Sequence, residues 1–117
     1  MTEYYDPRLH DYDMYCYCGE SWRHTVVILN VDGSPKNLTS YTAEMQIRNS
    51  KSGELIETPS IYINSLGGKM LLSIPADRTE KMYTRDARYD LKIKSADGEA
   101  TYLVKGKFIM VPNKTKD

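Results

Sequence analysis

Cysteine and histidine are scarce in this chain of 117 residues, which has two of each. Long apolar runs are also missing, and one of the longest, residues 26–29, is far too short to span a bilayer. The N-terminus has no basic stretch followed by an apolar one, so we expect no secretory signal and synthesis in a cytoplasm. These absences argue against a signal peptide and against a membrane-spanning helix.

Charge of one sign is not in excess, because sixteen basic side chains are matched by sixteen acidic ones. A nucleic-acid backbone requires a clustered basic face, and interspersed charges do not supply one. Attraction to a membrane surface is disfavoured for the same reason. By elimination, we expect other proteins as partners, and no nucleic acid, membrane or small-molecule substrate.

The few metal-ligating residues lie close together, since His10, Cys16, Cys18 and His24 fall within one short segment. Zinc sites usually take a cysteine pair spaced C-x₂₋₄-C, whereas the spacing here is C-x-C on an expected strand. We therefore expect buried or interface thiols, with no metal and no cofactor. Neither histidine accompanies a nucleophile motif, so we expect that the protein is not an enzyme.

Short stretches of alternating apolar and polar residues predict β-strands through most of the chain. Residues 41–48, YTAEMQIR, alternate cleanly, which predicts one buried face and one solvated face. Residues 21–31 carry apolar side chains on both faces and predict a central strand. Gly67-Gly68 and Asp97-Gly98 each separate two such runs, so we predict two hairpins.

About seven or eight short strands, each ended by a turn, predict an all-β fold. The specific prediction is an antiparallel β-sandwich of immunoglobulin-like character, with a small barrel as the alternative. One short helical turn is expected near residues 76–83, where Asp77 could cap. Trp22 is expected in the core, and Gly106 predicts a bulge or a close approach of another backbone segment.

Tyrosine is concentrated at the N-terminus, where five of the ten tyrosines occur: Tyr4, Tyr5, Tyr12, Tyr15 and Tyr17. Disordered segments are usually poor in aromatic residues, whereas interface cores are rich in tyrosine. We therefore predict an extended arm, residues 1–14, before a sandwich domain of residues 15–115. The five tyrosines are predicted to bind a partner by packing on it or by adding a strand to it. The alternative is that the arm folds back over its own domain.

The ordered motifs of the chain resemble a known group of domains. They are GESW (19–22), DGSPKNLTSYTAEMQIR (32–48), GELI (53–56), Ile74-Pro75 and RYDLKIKSADGEATYLVKGKFIMVPNKT (88–115). In these features, residues 19–115 resemble the small β-sandwich domains of tailed-bacteriophage virion proteins, found in baseplate, tail-fibre-attachment and capsid-accessory components. The chain departs from the usual pattern because it carries the sandwich without an attached fibre and has a tyrosine-rich arm before it.

The resemblance implies a structural virion protein that is usually multimeric and has no catalytic activity. We therefore expect a capsid cement or decoration protein, or a tail or baseplate accessory protein, made in the host cytoplasm and located in the virion. Other virion proteins and further copies of the chain are its expected partners. The alternative is a carbohydrate- or receptor-binding module in which Trp22 and exposed tyrosines, among them Tyr17, Tyr62 and Tyr102, form a platform.

Overall fold

A computed structural model of the chain describes residues 2–5, 10–82 and 86–112, with only the backbone described for residues 2–5 and 10. Along these ranges the elements are β1 (Thr2–Tyr5), β2 (His10–Asp11), β3 (Met14–Tyr17), β4 (Trp22–Ile28), β5 (Thr42–Asn49), β6 (Leu55–Glu57), β7 (Ser60–Asn64), β8 (Lys69–Ile74), α1 (Ala76–Thr79), β9 (Ala87–Lys94) and β10 (Ala100–Val111). The predicted all-β class with one short helix is confirmed.

Two sheets enclose one core of buried side chains. The first sheet has the order β1-β4-β8-β7, and the second has the order β2-β10-β9-β5-β6, with β3 also paired to β10. The orders β4-β8-β7 and β10-β9-β5 match those of strands B-E-D and G-F-C in immunoglobulin-type sandwiches. The architecture is therefore the predicted sandwich rather than a barrel, and the eight strands from β3 to β10 form its body.

The direction of strand pairing differs between the N-terminal segment and the rest of the chain. From β4 onward, the pairs β4–β8, β7–β8, β5–β6, β5–β9 and β9–β10 are antiparallel, as predicted. The pairs β1–β4, β2–β10 and β3–β10 are parallel. A parallel pair of strands needs a long connection between them. The pairs with β10 meet this requirement, because β10 lies at the other end of the chain from β2 and β3.

Alternation along β4 shows how the sequence divides a strand into two faces. Trp22, Val26 and Ile28 are buried in the core, whereas Arg23 is exposed. Val27 is buried on the opposite face. β4 lies between β1 and β8, so the predicted central position is confirmed. The strand ends at Ile28 rather than Val31, and Val31 is fully exposed.

The helix is the short helical turn that was predicted, because α1 spans only Ala76–Thr79. Pro75 is its N-cap, without a side-chain hydrogen bond, so the predicted capping role of Asp77 is wrong. Beyond Thr79 the amides of Lys81 and Met82 bond to carbonyls three residues back, which is 3₁₀ rather than α geometry. No helix among the described residues has the length and apolarity to cross a membrane.

Gly106 lies where the N-terminal segment crosses β10, so the predicted close backbone approach is confirmed. A Cβ atom at this position would lie 2.3 Å from the carbonyl oxygen of Tyr12. The amide of Tyr12 donates to the carbonyl of Lys105 at 2.9 Å, and the hydroxyl of Tyr89 donates to the Tyr12 carbonyl. The absence of a side chain at Gly106 therefore lets the N-terminal segment run close beside β10, with which β2 and β3 pair.

The N-terminal segment pairs with the chain's own two sheets, which is the arrangement named above as the alternative. β1 lies along β4, and β2 and β3 lie end to end along β10. The predicted boundary between arm and domain falls inside β3, and Met14 is 2% exposed within the core. Residues from Tyr12 onward are therefore bonded into the sandwich itself.

Candidate functional site

β3 alternates between buried and exposed side chains. Met14 and Cys16 lie in the core, while Tyr15 and Tyr17 are each 57% exposed on the outer face. This division follows from the period of two along a strand, which places successive side chains on opposite faces. β3 is an edge strand, because within the described residues its ladder is with β10 alone. The alternation therefore places two tyrosine rings on the outer face of a strand whose inner side chains, Met14 and Cys16, pack in the core.

Two apolar neighbours extend the exposed rings into a strip. Tyr15 is in register with Ile109, and Tyr17 is in register with Val111. Both neighbours are partly buried. Opposite residues of paired strands lie on the same face of the sheet, so the four side chains share the outer face. We call Tyr15, Tyr17, Ile109 and Val111 the β3–β10 strip.

The free edge of β3 is partly closed by the chain itself. The Nε1–H group of Trp22 donates to the carbonyl of Tyr15 at 3.0 Å, and the amide of Glu20 donates to the carbonyl of Tyr17 at 3.1 Å. These carbonyls are therefore already satisfied on the side that an added strand would occupy. The arrangement favours packing of a partner on the side chains of the strip over strand addition at this edge.

Charged groups border the strip at one end. The amide of Lys107 donates to Oδ1 of Asp13 at 3.1 Å, and the side chains of both residues are exposed. Arg88 is in register with Lys107 and is also exposed. The strip is thus an uncharged surface with a polar border, which is the usual anatomy of a protein interface.

The other three predicted partner-binding tyrosines are placed differently. Tyr12 is partly buried, and its ring lies 5.8 Å from that of His24, so it contributes mainly to the sandwich. Tyr4 is in register with Val27 and Tyr5 with Ile28, both on β4. The side chains of Tyr4 and Tyr5 lie outside the described part. Of the predicted tyrosines whose side chains are described, Tyr15 and Tyr17 are the two that lie as neighbours on one exposed surface.

Trp22 is a core residue, as predicted. It is 7% exposed, and its ring lies 5.3 Å from that of Phe108 in an edge-to-face arrangement. The ring of His24 is stacked with it at 6.1 Å. A sugar platform built on Trp22 would require an exposed ring. Tyr62 and Tyr102 do not replace it, because they lie on different sheets.

The two thiols are held in their protonated form by burial. Burial raises the pKa of Cys16 to about 12, with smaller contributions from Cys18 and Glu20. Burial also raises the pKa of Cys18, whose Sγ donates to the carbonyl of Met82 at 3.6 Å. Metal ligation and nucleophilic attack both require the thiolate. Within the described residues, no group of three or more His, Cys, Asp and Glu side chains could hold a metal ion.

A shallow cleft of about 350 Å³ separates β3 from the start of β4. Tyr15, Tyr17, Trp22, Arg23 and His24 are among its lining residues. The cleft adjoins the β3–β10 strip, so a partner that packs on the two exposed rings can also enter it.

A second exposed aromatic residue is Tyr62, which was predicted only as part of the alternative sugar- or receptor-binding platform. Tyr62 on β7 is 70% exposed and is in register with Leu71 on β8, which is 38% exposed. The signal lies in SIYIN, where Tyr62 stands between two isoleucines that face the core. By contrast, the ring of Tyr102 lies 5.7 Å from Nζ of Lys92. Lys92 also forms an ion pair with Glu44, so the neighbourhood of Tyr102 is charged.

The fold and this surface define a class: a small all-β sandwich with exposed aromatic side chains on its edges. No protein-family model and no curated protein matches the chain. Among solved structures, the N-terminal domain of ORF48 from phage TP901-1 is similar, with a TM-score of 0.51 and 9% sequence identity. The match covers 94% of this chain and 98% of that one. At this identity the likeness shows a shared fold, which by itself does not define a function.

Proposed function

We propose that this protein is a non-enzymatic structural component of a bacteriophage particle that assembles through its N-terminal segment. The observation that carries the proposal is the pair Tyr15 and Tyr17, each 57% exposed on an edge strand whose other side chains lie in the core. The fold shared with a phage protein domain supports the setting. The particle is made in a bacterial cytoplasm, and the chain is located in the virion.

Rigid tyrosines are suited to assembly for a thermodynamic reason. A tyrosine ring supplies a large contact area and a hydroxyl group. Tyrosine is also over-represented among the interface residues that contribute most of the binding energy. Ordering a mobile side chain on binding costs roughly 0.5–1.5 kcal/mol. Tyr15 and Tyr17 need less ordering because β3 is hydrogen-bonded to β10 and anchored by Met14 and Cys16.

The partners of the β3–β10 strip are other virion proteins and further copies of this chain. A capsid cement or decoration protein and a tail or baseplate accessory protein both fit a small rigid sandwich with one uncharged aromatic strip. In either role the chain acts by packing. The protonated thiols and the packing of His24 between two aromatic rings support a role without catalysis.

The experiment is to measure the amount of the chain in purified particles for two variants. Tyr15→Ser with Tyr17→Ser removes both rings while keeping polar, strand-compatible side chains, and we expect at least a tenfold loss of the chain from the particles. Tyr102→Ser is the matched control, because Tyr102 is 49% exposed on the same sheet, and we expect normal incorporation. Equal incorporation of both variants would contradict assembly through the strip.

A further inference from the structure

β7 forms an unprotected edge of the first sheet. It pairs with β8 without a register shift over Ser60–Asn64, and within the described residues it has no second partner strand. Natural edge strands are usually blunted by charged side chains, proline, bulges or short length. The five residues SIYIN contain no charge and no proline. This edge is therefore open to pairing with another strand.

The other edges of the sandwich whose side chains are described have the protection that β7 lacks. β6 has only three residues, its pairing to β5 has a register shift, and its Glu57 is held by Arg78. The carbonyls of Tyr15 and Tyr17 on β3 are taken by Trp22 and Glu20. Of these three edge strands, β7 is therefore the one whose edge is open to pairing with another strand.

The sequence of β7 is close to a palindrome centred on Tyr62. If two copies pair antiparallel about a twofold axis at this residue, Tyr62 faces its own copy. Ser60 then lies opposite Asn64 of the second copy, and Ile61 lies opposite Ile63. Polar residues thus meet polar residues on the outer face, and apolar residues meet apolar residues on the inner face, because directly opposite residues share a face.

The exposure of β7 side chains matches what such pairing would cover. Tyr62 is 70% exposed beside Leu71 on the outer face, so two copies would join two such pairs into one continuous apolar row. On the inner face, Ile61 and Ile63 are only partly buried, although they pack against the core. A second copy would cover the open side of both isoleucines.

We propose that β7 is a homodimerisation strand, with a second copy of this chain pairing antiparallel about a twofold axis through Tyr62. The pair of strands joins the two first sheets into one continuous sheet across the dimer. This inference rests on β7 alone and is independent of the β3–β10 strip. It assigns a second interaction surface whose occupant is another copy of the chain.

The dimer is expected to be weak in free solution. A five-residue edge pair buries less than the ~1,200 Å² at which standard interfaces begin, which is the size range of weak and transient contacts. On a particle that holds many copies, the effective concentration is in the mM range, so a weak contact of this kind is occupied.

A charge exchange at position 62 tests the twofold axis directly. In a Tyr15→Ser, Tyr17→Ser background, which removes the strip, sedimentation equilibrium measures dimerisation of chains with Tyr62, Tyr62→Lys or Tyr62→Glu. We expect each charged variant alone to dimerise at least tenfold more weakly, because like charges would face each other at the axis. An equal mixture of the two is expected to recover dimerisation to within about threefold of the Tyr62 chain, because opposite charges then meet.

The controls are Tyr102→Lys and Tyr102→Glu, which we expect to leave dimerisation unchanged. Thermal unfolding of every variant, and recovery in the mixture, separate loss of pairing from loss of folding. The inference would be overturned if the Tyr62 chain stayed a monomer of 13.5 kDa up to about 1 mM, at which even a weak complex of about −4 kcal/mol is half-formed. It would also be overturned if either charged variant dimerised normally alone, or if the mixture failed to recover. Either of these outcomes would leave the proposal for the β3–β10 strip standing, because that proposal rests on different residues.

Discussion

At the scale of single residues, the alternation along β3 decides what the N-terminal segment presents to other molecules. Met14 and Cys16 anchor the strand in the core, so Tyr15 and Tyr17 are held on the outer face with little freedom. Tyr12, which is three residues earlier than Tyr15, serves the fold instead, because its carbonyl bonds to the hydroxyl of Tyr89. Tyrosine content alone does not distinguish these roles.

The residue that permits this placement is Gly106. We predict that Gly106→Ala destabilises the protein by about 1–3 kcal/mol, because the added methyl group overlaps the Tyr12 carbonyl and must displace backbone. Urea unfolding measures the change. Gly67→Ala is the control, since its methyl group would meet only the flexible side chain of Asn64 at 3.2 Å, and we expect a smaller effect. Equal stability of wild type and Gly106→Ala would contradict the close approach.

A second residue-scale prediction concerns the ion pair of Glu57 and Arg78. Arg78 contacts both carboxylate oxygens of Glu57, at 2.6 and 2.9 Å, and this hydrogen bonding lowers the pKa of Glu57 below its usual value of 4.5. Because the folded-state pKa is the lower one, the stabilisation is present above about pH 4.5 and is lost as pH falls through the folded-state pKa.

We therefore expect Glu57→Gln to lower the melting temperature at neutral pH, with a difference from wild type that shrinks steadily below about pH 4.5. The measurement is a series of thermal melts of both proteins from pH 7 downward. A difference that stayed constant, or grew, as pH fell would show that the carboxylate charge does not stabilise the fold.

At the scale of elements, α1 holds the turn between β3 and β4 through one hydroxyl group. Thr79 is fully buried, accepts from the amide of Gly19 at 3.0 Å and donates to the carbonyl of Glu20 at 2.8 Å. A threonine in a four-residue helix thus fixes residues that are distant in sequence. The helix positions β3, and with it the two exposed tyrosines.

We predict that Thr79→Val costs about 2–4 kcal/mol, because it leaves two backbone groups without their partner in a buried site. Thr79→Ser keeps the hydroxyl and loses one methyl group, so it is expected to cost only about 1 kcal/mol. Denaturant unfolding of the two variants gives both values. If valine were tolerated as well as serine, the hydroxyl group would not be what ties the helix to the turn.

The sequence pattern was most informative where neighbouring strands are also neighbours in the chain. Clean alternation predicted the buried face of β5, where Met45 and Ile47 are at most 1% exposed. The two hairpins, β7–β8 and β9–β10, follow from glycine-containing turns between apolar runs. In the two hairpins, the alternating strands and the turn between them are continuous in the chain, so local chemistry specifies the partner strand.

Pairing between the ends of the chain was not predictable in the same way. β3 alternates like any half-buried strand, and nothing in its sequence specifies a parallel partner at Phe108–Val111. Gly106 gave the one usable signal, a close backbone approach, without indicating which segment approaches. The short helical turn was predictable, whereas the bonds from the Thr79 hydroxyl to the backbone of Gly19 and Glu20 were not.

At the scale of the whole molecule, the two surfaces that we propose for interaction lie on different sheets of the sandwich. The β3–β10 strip lies on the second sheet, and the open edge of β7 lies on the first. A small block with two independent contacts can connect copies of itself and other proteins into an extended assembly, whereas a twofold contact alone forms only pairs. This arrangement suits a structural part of a large particle.

The most direct measurement for the central claim is the mass of the protein in solution, by light scattering. Samples at about 100 μM, a concentration at which complexes with dissociation constants in the μM range are largely formed, would compare wild type with the Tyr15→Ser, Tyr17→Ser chain. We predict that wild type exceeds the mass of two 13.5 kDa chains and that the double variant falls to two chains or one, while Tyr102→Ser matches wild type. The same mass for wild type and the double variant would contradict self-assembly through the exposed tyrosines of β3.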